Sequence, residues 1–297
     1  MFKVDYHADD YGASPHNARR LLELANTGKL QSMSFLPNMG CYEECRDYLH
    51  KKWDSLEHKP LISIHINLID GYSLSGCKNP ILVNEDGIID CKWENLFRYS
   101  FTPGKERTAL KKDIRKEIKE QIKRVYKDLP EGCALRVDSH LHTHMIPIVF
   151  DSMIGALKDL SLLEKTEYIR ISDEPIWPFL TTPGVAFTYP AVNIIKNRIL
   201  HLLGERARWR VKRLGIEGGM LMGLYMSGCM DKKRLDLVMP KMRKFAQRKD
   251  RYLEIMTHPG IVLRSEDRPE YCKSDLLAFF SENRNIEYDM ILNREDL

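Results

Sequence analysis

Leu61-Ile62-Ser63-Ile64-His65-Ile66-Asn67-Leu68 is nearly continuous apolar sequence, broken only by Ser63, His65 and Asn67. A run of this kind suits a strand buried on both faces, as in a parallel sheet. Similar short runs recur at 3–8, 31–36, 135–139, 168–172, 220–226 and 253–257. Helical patterns lie between them. Ser14-Pro15 is an N-cap with proline at the first helical position, and Gly28 supplies the stop. Over 105–129, Leu110, Ile114, Ile118, Ile122, Val125 and Leu129 return every three or four positions, charged residues fill the other faces, and Pro130 and Gly132 end the helix. Further helices are predicted over 149–160, 232–249 and, capped by Ser274, 275–282, with a last strand over 286–292. Alternation of this kind argues for β/α units around a mainly parallel sheet. The 297 residues suit one barrel-sized domain, since an α/β barrel takes about 250 residues. Residues 173–218 break the rhythm with Pro175, Pro178, Pro183 and Pro190 before a helical stretch; they read as an insertion or lid-like segment of a single domain spanning 1–297.

Composition narrows the class. Hydrophobic residues at 43% and charged residues at 30%, with 17 Gly and 14 Pro, exclude a disordered or collagen-like chain. The net charge of +4 demands no anionic partner. Seven scattered cysteines read as reduced thiols; Cys41 and Cys45 share a helix face, but no second pair completes a zinc site. The first ten residues have no apolar signal core, and no run approaches the roughly 18 apolar residues of a membrane span. The expectation is a cytoplasmic protein with no membrane and no nucleic acid among its partners. Residues 196–213 hold seven Lys/Arg and only Glu205 as an acid, with Leu and Trp209 interleaved, which reads as a solvated helix face. Phosphate-loop, nucleophile-elbow and zincin spacings are absent from the sequence.

The chemistry-bearing residues collect at the carboxyl ends of the predicted strands, where parallel α/β folds build their sites. Asp9 and Asp10 follow the first strand, Asn38 the second, and His65 and Asn67 end the third; Asp138 and His140 end the fourth, and His258 follows the strand near the C-terminus. Asp9-Asp10-Tyr11-Gly12 reads either as a turn or as two carboxylates with divided labour, one on a metal and one as base. His65 is either a hydrogen-bonded core residue or a ligand; Asn67, on the same strand face, favours a site. In Asp138-Ser139-His140-Leu141-His142-Thr143-His144, a continued strand would project all three histidines to one face. That pattern favours a metal site in which some histidines support others or face substrate. His258, in Thr-His-Pro-Gly, is a turn residue or an acid–base group.

The ordered set Ala8-Asp9-Asp10-Tyr11-Gly12-Ala13-Ser14, Ile64-His65-Ile66-Asn67-Leu68, Asp138 to His144 and Thr257-His258-Pro259-Gly260 resembles the YdjC-like carbohydrate deacetylases, which include chitooligosaccharide (chitobiose) deacetylases. Ser32-Met33-Ser34, Asn38, Gly71 and Arg170 extend the match, which runs from residue 4 to about 280. His7 stands where that family commonly has Asn, and Tyr11 where it has Phe; 173–218 matches poorly. The resemblance implies an irregular, TIM-like (β/α) barrel related to polysaccharide deacetylase barrels, with one divalent ion, Mg2+ or Zn2+. It implies Asp10, His65 and His140 as metal ligands, Asp9 as base and His258 as acid. Asn38, Asn67, Asp138, His142, His144 and Arg170 are then expected to bind substrate or support the site. The implied activity is removal of N-acetyl groups from an amino sugar or oligosaccharide; a homodimer is compatible with it. Rival readings are a metal-dependent hydrolase of a phosphoester or another amide, a sugar-binding barrel without catalysis, and nucleic-acid binding through 196–213.

Overall fold

A computed structural model describes residues 3–272 and 277–295. Seven parallel strands form one curled sheet in the order β5-β4-β3-β2-β1-β7-β6. They are β1 (Val4–Tyr11), β2 (Ser32–Phe35), β3 (Leu61–Ile66), β4 (Leu135–Ser139), β5 (Thr166–Ile169), β6 (Met220–Met222) and β7 (Leu253–Thr257). All seven predicted runs are therefore strands, several of them shorter than the apolar sequence that announced them.

The barrel is not closed. β5 and β6 are the two edges, and among the described residues they are linked by an isolated bridge ahead of β6, where Ile169 N donates to Glu217 O and Glu217 N to Glu167 O, both at 3.1 Å. The fold is a half-barrel, which corrects the expectation of a TIM-like barrel. The predicted last strand is a helix, so there is no eighth strand among the described residues to join the edges.

The helices cover the sheet as their patterns dictate. In α1 (Pro15–Asn26), Ser14 Oγ accepts from Asn17 N at 3.1 Å, and Pro15 occupies the first turn. α2 (Tyr42–Trp53) buries Cys45 and Leu49, with Cys41 also buried at its start. α3 (Trp93–Phe101) precedes α4 (Lys105–Asp128), whose Leu110, Ile114, Ile118 and Ile122 are all fully buried. Two polar residues share that inward face. Gln121 exchanges hydrogen bonds with the backbone of Asn67 (2.9 and 2.7 Å), and the Glu117 carboxylate accepts from Leu74 N and Ser75 N at 3.0 Å. α4 thus anchors the loop that leaves β3. α5 (Pro147–Asp159), α6 (Trp177–Leu180), α7 (Ala191–Arg213) and α8 (Lys232–Arg248) follow, and α6 and α7 make up most of the segment predicted as an insertion. α9 (Asn283–Leu292) replaces the predicted strand over 286–292. The buried residues Arg284, Glu287, Tyr288 and Ile291 recur at helical spacing. Ser274, the predicted cap of a helix over 275–282, lies outside the described residues. Among the described residues no helix is long and apolar enough to cross a membrane.

The loop after β3 turns on Gly71, with φ +80°. A Cβ there would lie 2.6 Å from the backbone oxygen of Asn38, a contact that only backbone movement relieves. Gly71→Ala is therefore expected to cost about 1–3 kcal/mol, read as a lower urea midpoint at unchanged m-value. A midpoint equal to that of the parent protein would show the loop to be freely adjustable.

Candidate active site

The end of β1 creates the site's first asymmetry. Its register on β2 pairs His7 with Ser32 and Ala8 with Met33, then shifts before Tyr11 meets Phe35; Asp10 lies in the shift with φ 68°. On a regular strand, neighbouring side chains point to opposite faces. The bulge breaks that rule and lets Asp9 and Asp10 serve one cluster.

Asp9 belongs to Arg170. This guanidinium, just past β5, is fully buried and grips Asp9 with Nη1 to Oδ2 at 2.9 Å and Nη2 to Oδ1 at 2.8 Å. Nη2 also lies 3.1 Å from Asp138 Oδ2, and Nε donates to Glu254 Oε1 at 2.5 Å. Burial works to raise the Asp9 carboxyl, but Arg170 and His65 outweigh it and hold it well below the usual carboxylate range. Beneath Asp9, His7 Nε2 sits 3.2 Å from Oδ1 and 2.6 Å from Ser34 Oγ, and Ser34 Oγ donates to Asp138 Oδ2 at 2.5 Å.

Asp10 faces two histidines. Its Oδ1 lies 3.0 Å from His140 Nδ1 and 3.5 Å from His65 Nε2. A tetrahedral ion with bonds of about 2.0–2.1 Å spaces its ligand atoms by roughly 3.3 Å, so these three buried residues suit one ion. His65 makes the stronger case. Its Nδ1 meets Asp138 Oδ1 at 2.6 Å, whereas Nε2 is buried without a hydrogen-bond partner. A carboxylate on one ring nitrogen with the other left for an ion is the usual arrangement of a metal-binding histidine. Burial alone would lower the His65 pKa, but the carboxylates of Asp138 and Asp9 push it up to about 9. The cluster therefore draws positive charge to that nitrogen. His140 Nε2 lies 3.3 Å from Asp70 Oδ2, and its ring stacks on Phe279 at 5.9 Å with 7° between planes.

The three histidines after β4 do not continue the strand, which corrects the one-face expectation. Residues His140–Met145 form a 3-10 turn in which Leu141 and His142 are left-handed, with φ 48° and 55°. The turn sends the rings apart. His140 reaches Asp10, His142 Nδ1 meets Ser172 Oγ at 2.8 Å, and His144 is fully buried between Ser139 Oγ (2.5 Å) and the Arg170 carbonyl (2.9 Å). His258, at the end of β7, has its Nε2 4.0 Å from Asp9 Oδ2 and its side chain 26% exposed. Its burial, though incomplete, pushes its pKa down to about 4, so it is neutral at pH 7.

The chain matches the YdjC-like protein family over residues 6–295. It belongs to that family, which is associated with carbohydrate-related hydrolysis. Among solved structures, it is similar to an Enterococcus faecalis protein named as a candidate for cellobiose-phosphate cleavage: TM-score 0.60 and 15% identity, covering 99% of this chain and 91% of that one. That likeness concerns the fold. An uncharacterized Agrobacterium tumefaciens protein aligns at TM-score 0.41 and 9% identity, covering 86% of this chain and 76% of that one. No curated protein matches.

In this YdjC-like chain, the Asn38 and Asn67 side chains hydrogen-bond the loop after β3. Asn67 Oδ1 accepts from the N–H groups of Ile69 and Asp70, both at 3.0 Å, and Asn38 Nδ2 donates to Asp70 O at 2.7 Å. Together they fold the loop that brings Asp70 to His140. Sequence reasoning missed Asp70, although Asn67-Leu-Ile-Asp-Gly71 carried a turn signal. It also missed Arg284, whose Nη2 donates to Asp10 Oδ2 at 2.6 Å, and Glu287, whose Oε2 accepts from His258 N at 2.6 Å. Both lie on α9; Glu287 fell in the stretch read as a strand and Arg284 in the gap before it, so nothing aimed them at the site. Burial raises Glu287 to about 7.

Burial likewise pushes His144 down to about 4. In the unfolded chain it would protonate near 6.5, so the unfolded state binds the extra proton between those values. Stability is therefore retained above about pH 6.5 and lost as pH falls toward 4, by at most about 3 kcal/mol from this group. His144→Gln should flatten the melting-temperature profile over that window; a profile as steep as the parent's would remove His144 from the account.

Proposed function

We propose that this YdjC-like protein is a metal-dependent deacetylase that hydrolyses the acetamide of N-acetylated amino sugars or short oligosaccharides of the chitobiose kind. The observation that carries the reading is the buried Asp10, His65 and His140 set, in which His65 Nε2 makes no hydrogen bond and lies 3.5 Å from Asp10 Oδ1, beside the Asp9 carboxylate. The family supports carbohydrate as the substrate class.

Amide hydrolysis needs an activated water, charge stabilisation at the carbonyl oxygen and a proton for the departing nitrogen. A divalent ion held by Asp10, His65 and His140 would polarise the carbonyl and acidify water. Two imidazoles favour a transition metal such as zinc, while the carboxylate and open positions are compatible with magnesium. Asp9 stays ionised and oriented because Arg170 holds both of its oxygens. The same grip makes Asp9 a weak base, so a proton it accepts is readily passed on. His258, neutral at pH 7 and 4.0 Å away, is the natural recipient. From there it delivers the proton to the leaving amine. Asp9 and His258 thus act in sequence on one proton.

The test is mass spectrometry of N-acetylated chitooligosaccharides incubated with the protein, with chelator, and with metal restored. Loss of one acetyl unit that chelation abolishes and metal restores is expected; unchanged oligosaccharides with release of phosphate from a phosphorylated sugar would favour another hydrolase. Asp10→Ala and His140→Ala should lose bound metal and activity together, and full metal content in either would displace that residue from the ligand set. Asp9→Asn and His258→Gln should retain metal and lower kcat about 100- to 10,000-fold; undiminished kcat in either would break the relay.

A further inference from the structure

α7 has two faces, and the outward one is unusual. Asn193, Asn197, Leu200, Gly204, Ala207 and Val211 point into the protein. Half a turn away stand Ile195, Leu202 and Trp209, exposed by 62%, 72% and 59%. Their seven-residue spacing is close to two helical turns, so they form a line. Arg198 and Arg206 fall between them and Arg213 follows Trp209, all on the same side, and the Arg213 guanidinium lies 4.6 Å from the centre of the Trp209 ring.

These arginines are free of carboxylates. Arg208 and Arg210, nearer the body, pair with Asp173 at 2.9 Å and Asp151 at 2.5 Å. Lys196, Arg198, Arg206, Lys212 and Arg213 form no ion pair among the described residues, and Glu205 is the single acid of 196–213. A solvated face accounts for the charges but not for three large apolar side chains in line among them.

Charge and apolar character together select the partner. A second copy paired antiparallel about Leu202 would set Arg198 against Arg206, like charge against like. A nucleic acid would engage the arginines and stack on Trp209, but offers nothing to Ile195 and Leu202. An anionic bilayer surface satisfies both: headgroup phosphates for the arginines, and the acyl boundary for Ile195, Leu202 and Trp209. We propose that the outward face of α7 docks this protein on an anionic lipid surface. The attachment is peripheral. α7 packs against the turn of His140–Met145, so a chain docked in this way holds its site near the headgroups.

The experiment is cosedimentation of the whole chain with vesicles of phosphatidylcholine alone and of phosphatidylcholine with about one-third phosphatidylglycerol. Retention on the anionic vesicles, weakening with salt and absent on the neutral ones, is expected. Arg198→Gln/Arg206→Gln/Arg213→Gln should reduce partitioning roughly a hundredfold, and Ile195→Ser/Leu202→Ser/Trp209→Ser at least about tenfold. The apolar triple variant should melt with the parent, because its replaced side chains face solvent. Arg198 also reaches the Tyr225 hydroxyl, so an Arg206→Gln/Arg213→Gln double variant, expected to lose at least about tenfold, accompanies the arginine triple. The proposal is overturned if the parent binds neither vesicle, if either triple variant that melts with the parent binds as well as it does, or if single-stranded RNA retains the chain while anionic vesicles do not. A dimer that Leu202→Ser converts to monomer would also overturn it, since the face would then be covered by a second copy.

Discussion

The buried guanidinium of Arg170 is the interaction on which the rest of the site depends. Isolating such a charge from water costs several kcal/mol, recovered only when its donors are matched. Here one planar fork meets Asp9 of β1, Asp138 of β4 and Glu254 of β7. β5 lies at one edge of the sheet and β7 is next to the other, so the arginine reaches across the curl and ties its two sides. Tyr168 also donates to Glu254 from β5. With an isolated backbone bridge joining the edges among the described residues, these side chains carry much of the closure that an eighth strand would otherwise supply. A lysine would place the charge but not the fork.

That ion network also sets the electrostatics of the proposed metal centre. Around His65 and His140 stand the carboxyl groups of Asp9, Asp10, Asp70 and Asp138, all buried, and the permanent cations of Arg170 and Arg284. The balance leaves room for further positive charge, which is why His65 is pushed up to about 9. A divalent ion bound there would meet the same demand. Burial pushes His142, His144 and His258 down, with Arg170 or Arg284 adding to it, and carboxylates do not make up the difference. Direct contact with the Asp138 carboxylate sets His65 apart more sharply than sequence spacing does.

Much of this was legible beforehand, for a common reason. β3 is nearly continuous apolar sequence, and β1 and β4 alternate apolar with polar residues, so these strands declared themselves and the polar residues in or beside them are conspicuous. Asp9, Asp10, His65, Asp138, His140 and His258 were visible in that way. Where a functional residue sits in an amphipathic or mixed segment, the signal fails. Arg284 and Glu287 are buried on a helix whose other inward residues are apolar, and their charges disguised its period. Asp70 looked like one more loop acid until Asn38 and Asn67 turned its backbone toward His140.

The sequence by itself determined the parallel α/β class, the order of the strands along the chain and the identity of the residues at their carboxyl ends. These depend on local burial patterns and on the rule that such folds gather chemistry at one rim. Tertiary structure alone decided that the sheet stops at seven strands, and that the bulge in β1 turns adjacent aspartates to different partners. It alone sent the three histidines after β4 in three directions, and it aimed Arg284 and Glu287 at the site. Each of those outcomes rests on backbone conformations and on contacts between segments far apart in the chain, which no local pattern encodes. Even the face of α7 that remains apolar and basic became apparent only once the opposite face had been buried.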